Sequence, residues 1–255
     1  TASQISLNTG DDSVSINAGL IASTIYGGTG KDSVYVVNGA STAALIDGGA
    51  GNDFLSLGAL SGTSSVLGQA GADQITVGGT STQWLVDAGE DDDTLSLNLV
   101  GERSTVLGGS GADSFDIAGV SKGLVQGGVG NDTINAGSGT GVTSASLKAG
   151  AGDDLMSITG GITDGSLFGG TGNDSFNLVG ATTNRVTGLI DTGSGVDSVI
   201  LGDAGDTVTL TGVLTSTSVN AGAGDDSIVI KANMASASIE AGAGSDTLNF
   251  LPSSV

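Results

Sequence analysis

Cysteine and histidine are absent from this 255-residue chain, which removes thiol and imidazole chemistry, structural zinc sites and the commonest general base. Proline occurs once, and aromatic residues make up only 3%. A core of ordinary thickness relies on large rings, whereas thin stacked layers of Val, Ile and Leu do not. Basic residues are scarce as well: 6 Lys and Arg face 27 Asp and Glu, a formal net charge of −21. That balance disfavours nucleic acid and anionic lipid as partners and favours cations, because self-repulsion opposes compaction until it is neutralised. No apolar run approaches the roughly 20 residues of a membrane-spanning helix. The chain starts at Thr1 without a signal-peptide pattern, as a mature form or an excised segment would.

What the chain has in abundance is glycine, 47 residues, and the glycines recur with aspartate at a fixed rhythm. Anchoring on the last Asp of each turn gives Asp12, Asp32, Asp53, Asp73, Asp93, Asp113, Asp132, Asp154, Asp174, Asp197, Asp226 and Asp246, a spacing of about 20 residues that marks a repeat architecture. Two residues after the anchors stand Val14, Val34, Leu55, Ile75, Leu95 and Phe115, and their equivalents in later repeats. Seven residues before them stand Ile25, Ile46, Val66, Val86, Val106 and Val125. Alternation of this kind is the pattern of strands with one buried face. Each repeat therefore reads as one coil: strand, turn, strand, Gly/Asp turn. Stacked coils make two parallel sheets whose aliphatic ladders face each other. Helix is excluded, since no 3.6-residue period appears and glycine interrupts every ten residues or so.

The turns read GGTGKD at 27–32, GGAGND at 48–53, GGSGAD at 108–113, GGVGND at 127–132 and GGTGND at 169–174, each followed by a small residue and a hydrophobe. Glycine lets the backbone take positive φ and turn carbonyls toward a hard cation, while Asp brings charge. One turn offers too few oxygens for the six to eight that Ca²⁺ takes, so adjacent turns must share each ion.

The motif resembles the nonapeptide of the RTX (repeats-in-toxin) family, G-G-x-G-x-D-x-hydrophobic-x. That resemblance implies an all-β, right-handed parallel β-roll or β-helix solenoid that binds Ca²⁺ between its turns. Carried onto this chain, it implies ligation by Asp12; by Gly28, Gly30 and Asp32; by Gly49, Gly51 and Asp53; and by Gly71 and Asp73. It continues through Gly89 and Asp93; Gly109, Gly111 and Asp113; Gly128, Gly130 and Asp132; Gly150, Gly152 and Asp154. It ends with Gly170, Gly172 and Asp174; Gly193, Gly195 and Asp197; Asp206; Gly222, Gly224 and Asp226; and Gly242, Gly244 and Asp246. Matches are imperfect at Gln69, Ala88, Asp91 and Thr192.

The family's roll has its motif at both turns of an 18-residue coil, whereas here it occurs once per roughly 20 residues. The alternate turns, among them LGALSGT at 57–63, LNLVGERS at 97–104, IAGVSKG at 117–123 and LVGATTNR at 178–185, carry no anchor aspartate. Calcium is therefore expected mainly along one edge, with the other held by backbone hydrogen bonds and stacked Ser, Thr and Asn. Arg103, Lys122, Arg185 and Lys231 fall in the metal-free turns. Either bases simply avoid calcium turns or that edge meets a partner.

Residues 1–255 read as one solenoid with an irregularity at 186–212. There an extra turn places Asp206 nine residues, half a coil, after Asp197. The expectation is that the ladder changes edge at this point, Asp206, Asp226 and Asp246 lying opposite the rest; a bulged loop is the rival reading. About eleven Ca²⁺ ions shared between turns would nearly cancel the net charge. Trp84 reads as core filling or as an exposed sugar-stacking ring. The cluster from Glu90 to Asp93 sits in a calcium-turn register, which weighs against catalysis.

A site shared between turns exists only in the folded coil, so calcium binding should be folding free energy. The sequence thus points to a non-enzymatic, calcium-folded structural module of a secreted bacterial surface or matrix protein. Homo-assembly into a filament or surface layer, or contact with polysaccharide or the cell surface, would suit it. The alternative is a calcium-folding, secretion-assisting region of an exported toxin or enzyme. Type I export is what the family resemblance implies.

Overall fold

The computed structural model describes residues 2–180 and 185–251, so part of the turn at 178–185 lies outside the described residues. The strands that precede each anchor, Gln4–Thr9, Thr24–Thr29, Leu45–Ala50 and Ser65–Ala70 among them, pair in parallel as one ladder, sheet A. The strands that follow each anchor, Ser13–Ile16, Ser33–Val36, Phe54–Leu57 and Gln74–Ser81 among them, pair as a second ladder, sheet B. The registers put like on like, Ile46 beside Val66 and Leu55 beside Ile75. No helix occurs among the described residues. The protein is an all-β parallel solenoid with coils of about 20 residues.

The core follows from the period-2 pattern. Ile25, Ile46, Val66, Val86, Val106 and Val125 of sheet A are fully buried, as are Val34, Leu55, Ile75, Leu95, Phe115 and Ile134 of sheet B. Each such side chain contributes about 1.5–3 kcal/mol by leaving water. Because the layer is only two side chains thick, it closes without large rings. Trp84 is buried, and so fills the core.

The alternate turns are more than turns. Ser41–Thr42 pairs with Leu60–Ser61, and the column continues through Val100, Val120, Val142, Ile162 and Val186, all buried. Each coil thus has a short third run that closes the core on the edge opposite the aspartates. The expected hydroxyl stacking is present beside it: Ser64 donates to the Ser41 carbonyl and accepts from the Ala44 N–H, and Ser41 accepts from the Leu20 N–H. A non-glycine residue in the left-handed region turns most of these corners, as at Ala43, Thr63, Gln83, Arg103 and Lys122.

After Asp197 the template slips by half a coil. Thr207–Thr211 follows an anchor, yet it pairs with Val186–Ser194 of sheet A. Ser218–Asn220 precedes an anchor, yet it pairs with Ser198–Ile200 of sheet B. Asp206, Asp226 and Asp246 consequently lie on the edge opposite Asp12 through Asp197. The short third run crosses over in exchange: Val213–Thr215 pairs with Asn233–Ala235 on the first edge, and Leu214 is fully buried there.

Candidate metal centre

The anchor aspartates form a ladder of their own. The backbone N–H of Asp12 donates to Oδ1 of Asp32 at 2.9 Å, that of Asp32 to Asp53 at 2.7 Å, and that of Asp53 to Asp73 at 2.7 Å. The series runs without interruption through Asp93, Asp113, Asp132, Asp154 and Asp174 to Asp197. On the first edge it stops there: the Ser218 N–H still bonds the Asp197 carbonyl, but Thr217 stands where the next anchor would. It restarts on the other edge, where Val186 donates to Asp206, Asp206 to Asp226 and Asp226 to Asp246.

The second carboxylate oxygen has no such partner. In Asp32, Asp53, Asp73, Asp93, Asp113, Asp132, Asp154, Asp174, Asp197, Asp206 and Asp226, Oδ2 is buried and meets no hydrogen-bond donor. Asp12 and Asp246, in the outermost coils, are half-buried. An ionised carboxylate withdrawn from water with one oxygen unsatisfied is costly unless a cation or proton meets it. Burial, reinforced by the neighbouring anchors and opposed by the backbone N–H, pushes Asp93 up to about 8 and Asp73, Asp132 and Asp174 up to about 7. Burial likewise raises Asp113 and Asp206 to about 6; at Asp206 the nearby Arg185 partly offsets it.

Where these oxygens point is set by glycine. A β-carbon on Gly27 would meet Oδ2 of Asp32 at 2.7 Å and the carbonyl oxygen of Gly48 in the next coil. The same pair, an anchor carboxylate and a carbonyl one coil on, crowds Gly48, Gly68, Gly108, Gly127 and Gly169. Oxygens from two successive coils therefore converge on each of these six turns, as a shared site for a hard cation needs. Among the described residues no three acidic side chains gather at one point, so such a site would draw on carbonyls around a single carboxylate.

Every glycine that the sequence assigned to a site has positive φ, from Gly28 at +113° to Gly244 at +148°. In most of them a β-carbon would strike a carbonyl of the preceding coil, as Gly49 would strike Gly28. Gln69 and Asp91, at glycine positions, hold the left-handed turn at φ +83° and +74°. Ala88, Ala149, Thr192, Ala221 and Ala241 put a real β-carbon at the first position. Ala149, Ala221 and Ala241 thus join Ala88 and Thr192 as departures from the motif.

The sequence reading missed a second ladder on the outside of the turn. Asp11 accepts from the Lys31 N–H at 2.8 Å, Asn52 from Ala72, Asp92 from Ala112, Asn131 from Asp153 and Asp153 from Asn173. It runs in the opposite sense to the inner one, each side chain reaching forward to the next coil. Asn or Asp directly before an anchor is its signal, as in GND and GDD.

Fold and site together define a parallel β-solenoid whose coils are tied by a buried aspartate ladder with one unmet oxygen per coil. No family model and no curated protein matches the chain. Among solved structures it is similar to a hyperactive, Ca²⁺-dependent, β-helical antifreeze protein from an Antarctic bacterium, at 27% identity and a TM-score of 0.65, over 96% of this chain and 75% of that one.

Proposed function

We propose that this chain is a calcium-folded structural module of a secreted surface or matrix protein. One Ca²⁺ would sit between successive anchor turns, about eleven in all, held by the named aspartates and the carbonyls of their glycine turns. The observation that carries the reading is the register of buried, donor-free Oδ2 atoms, six of which share their place in the turn with a carbonyl of the next coil. The Ca²⁺ dependence of the similar antifreeze structure supports it. Bound cations would supply the charge that a −21 chain needs in order to close.

The reading is non-enzymatic: in the acidic cluster, Asp93 belongs to the inner ladder and Asp92 to the outer one. Antifreeze action is not carried over. Lattice recognition relies on identical side chains repeated in rank, and the outward column Ser33, Phe54, Gln74, Thr94 and Ser114 keeps none. The test is a calcium titration followed by far-ultraviolet circular dichroism and light scattering. Gain of β-structure with calcium is expected, and no gain overturns the reading. Growth in particle size with calcium would make the module an assembling unit, and constant size a spacer.

A further inference from the structure

The two outer faces of the solenoid differ in a way that neither folding nor calcium requires. Over the coils between Ser33 and Asn135, sheet A presents Asp47 and Asp87 outward among leucines such as Leu45, Leu67, Leu85 and Leu107. Sheet B over the same coils presents a single charge, Asp116. Its other outward side chains are hydroxyls and amides such as Ser56, Gln74, Thr76 and Ser96, with the ring pair Tyr35 and Phe54 at one end, their centroids 5.4 Å apart. In a chain of charge −21, so large an uncharged, hydrogen-bonding surface stands out.

A trough runs beside this face, where sheet B turns into the edge opposite the first aspartate ladder. An open depression of about 660 Å³ leads into two shallow arms that run side by side along the next coils, one of about 470 Å³ that shares Ala40 and Ala59 with it and one of about 260 Å³ that shares Thr76 and Gly78. They reach from Val36 to Ser138, five coil steps or roughly 24 Å at the spacing of parallel strands. Main chain, glycine and alanine form much of the floor. Glu102 and Lys122 on the lip pair with each other at 4.0 Å.

We propose that this trough and the hydroxyl face beside it bind an extended, uncharged polysaccharide. The alternatives fit the surface less well. A peptide strand would need an open sheet edge, and the strands here are paired on both sides, Phe54–Leu57 with Ser33–Val36 and with Gln74–Ser81. A helix or lipid needs a large apolar patch, and the floor is built of small residues. An acidic polymer finds its cations beside the trough already engaged, Arg103 and Lys122 both pairing with Glu102, and a basic one is drawn to the aspartate edges. A neutral polyol suits the hydroxyls and amides of the wall, and its pyranose faces can stack on Tyr35 and Phe54. The inference needs the folded coil and not the identity of the cation.

The experiment is isothermal titration of the full chain in excess calcium, its fold verified by circular dichroism, with cellohexaose and chitohexaose as neutral probes and hexagalacturonate as the acidic one. Gly78→Leu fills the trough where two of the depressions meet; a β-carbon there has only the Leu57 carbonyl oxygen nearby, at an ordinary 3.6 Å, and circular dichroism of the variant checks its fold. Binding of a neutral hexasaccharide, weakened at least tenfold by Gly78→Leu and unchanged by Asp87→Asn on sheet A, is the expected result. The proposal is overturned if neither neutral probe binds the folded protein, if Gly78→Leu binds as the parent does, or if the acidic probe binds equally well. Ice growth inhibition without glycan binding would also overturn it. Each of these failures, seen on a calcium-folded chain, leaves the calcium reading standing.

Discussion

The backbone N–H of Asp53 holds Oδ1 of Asp73 at 2.7 Å, while Oδ2 of the same carboxylate is buried without a donor. One oxygen ties the coils together and the other faces the space between them. The two roles separate on substitution. Asp73→Asn keeps an acceptor for Asp53 but loses the charge, and should lower calcium stoichiometry by about one and stability in calcium by on the order of 3 kcal/mol, as when one partner of a buried ion pair is removed. Asp92→Asn, on the exposed outer ladder, should stay within about 0.5 kcal/mol. Equilibrium unfolding with calcium counted by titration distinguishes them, and equal effects would count against an inner metal site.

Acidity should substitute for calcium in part. Burial holds several anchors above the ordinary carboxylate range, Asp93 at about 8 and Asp73, Asp132 and Asp174 at about 7. Without metal, the protonated fold is therefore favoured below about pH 4, and that contribution is lost as pH rises from about 4 to 8. In a chelator, β-structure followed by circular dichroism should be greatest near pH 4 and fall toward pH 8. With calcium in excess the trend should reverse, because the metal competes with protons for the same oxygens. A chelated chain equally folded at both pH values would contradict the burial of these groups.

Backbone geometry gives an independent check. Gly111 has φ +132°, and a β-carbon there would strike the Asp91 carbonyl. Gly111→Ala should cost about 1–3 kcal/mol, the range for a side chain forced into such a conformation. Gly78→Ala, whose β-carbon would meet only the Leu57 carbonyl oxygen at 3.6 Å, should cost about 0.5 kcal/mol or less. Thermal unfolding in saturating calcium measures both.

The slip after Asp197 makes the last coils separable. Asp206→Ala removes the acceptor of the Val186 N–H and the first rung of the second ladder. An orphaned buried donor costs about 1–3 kcal/mol. Hydrogen exchange should show lost protection in Thr207–Thr211 and Ser227–Ile230, with Ser33–Val36 and Phe54–Leu57 unaffected. Uniform loss along the chain would mean that the two ladders act as one unit.

The coil, its two sheets and the change of edge were legible in the sequence because each rests on a strict local requirement. Aliphatic residues two after and seven before the anchor must alternate with polar ones, and Gly28 or Gly111 must be glycine because another coil's carbonyl fills the place of a side chain. The opposite corner was not legible. There Ala43, Thr63, Arg103 and Lys122 all take the left-handed region, a backbone state that no single residue type marks. The short third run hid for the same reason: Val100, Val120 and Val142 come one per coil, too sparse for a strand pattern. The outer Asn/Asp ladder skips coils at Lys31, Ala72 and Ala112, so it read as ordinary turn composition.

The half-coil slip has a mechanical consequence. A rod whose cross-links lie along one side behaves like a bimetal strip: a change in spacing on that side, with the other fixed, bends it within a plane. Here the cross-linked side is exchanged between Asp197 and Asp206. A change in rung spacing along the aspartate ladders of the folded rod should flex the two segments in opposite directions, giving a shallow S in place of a simple arc.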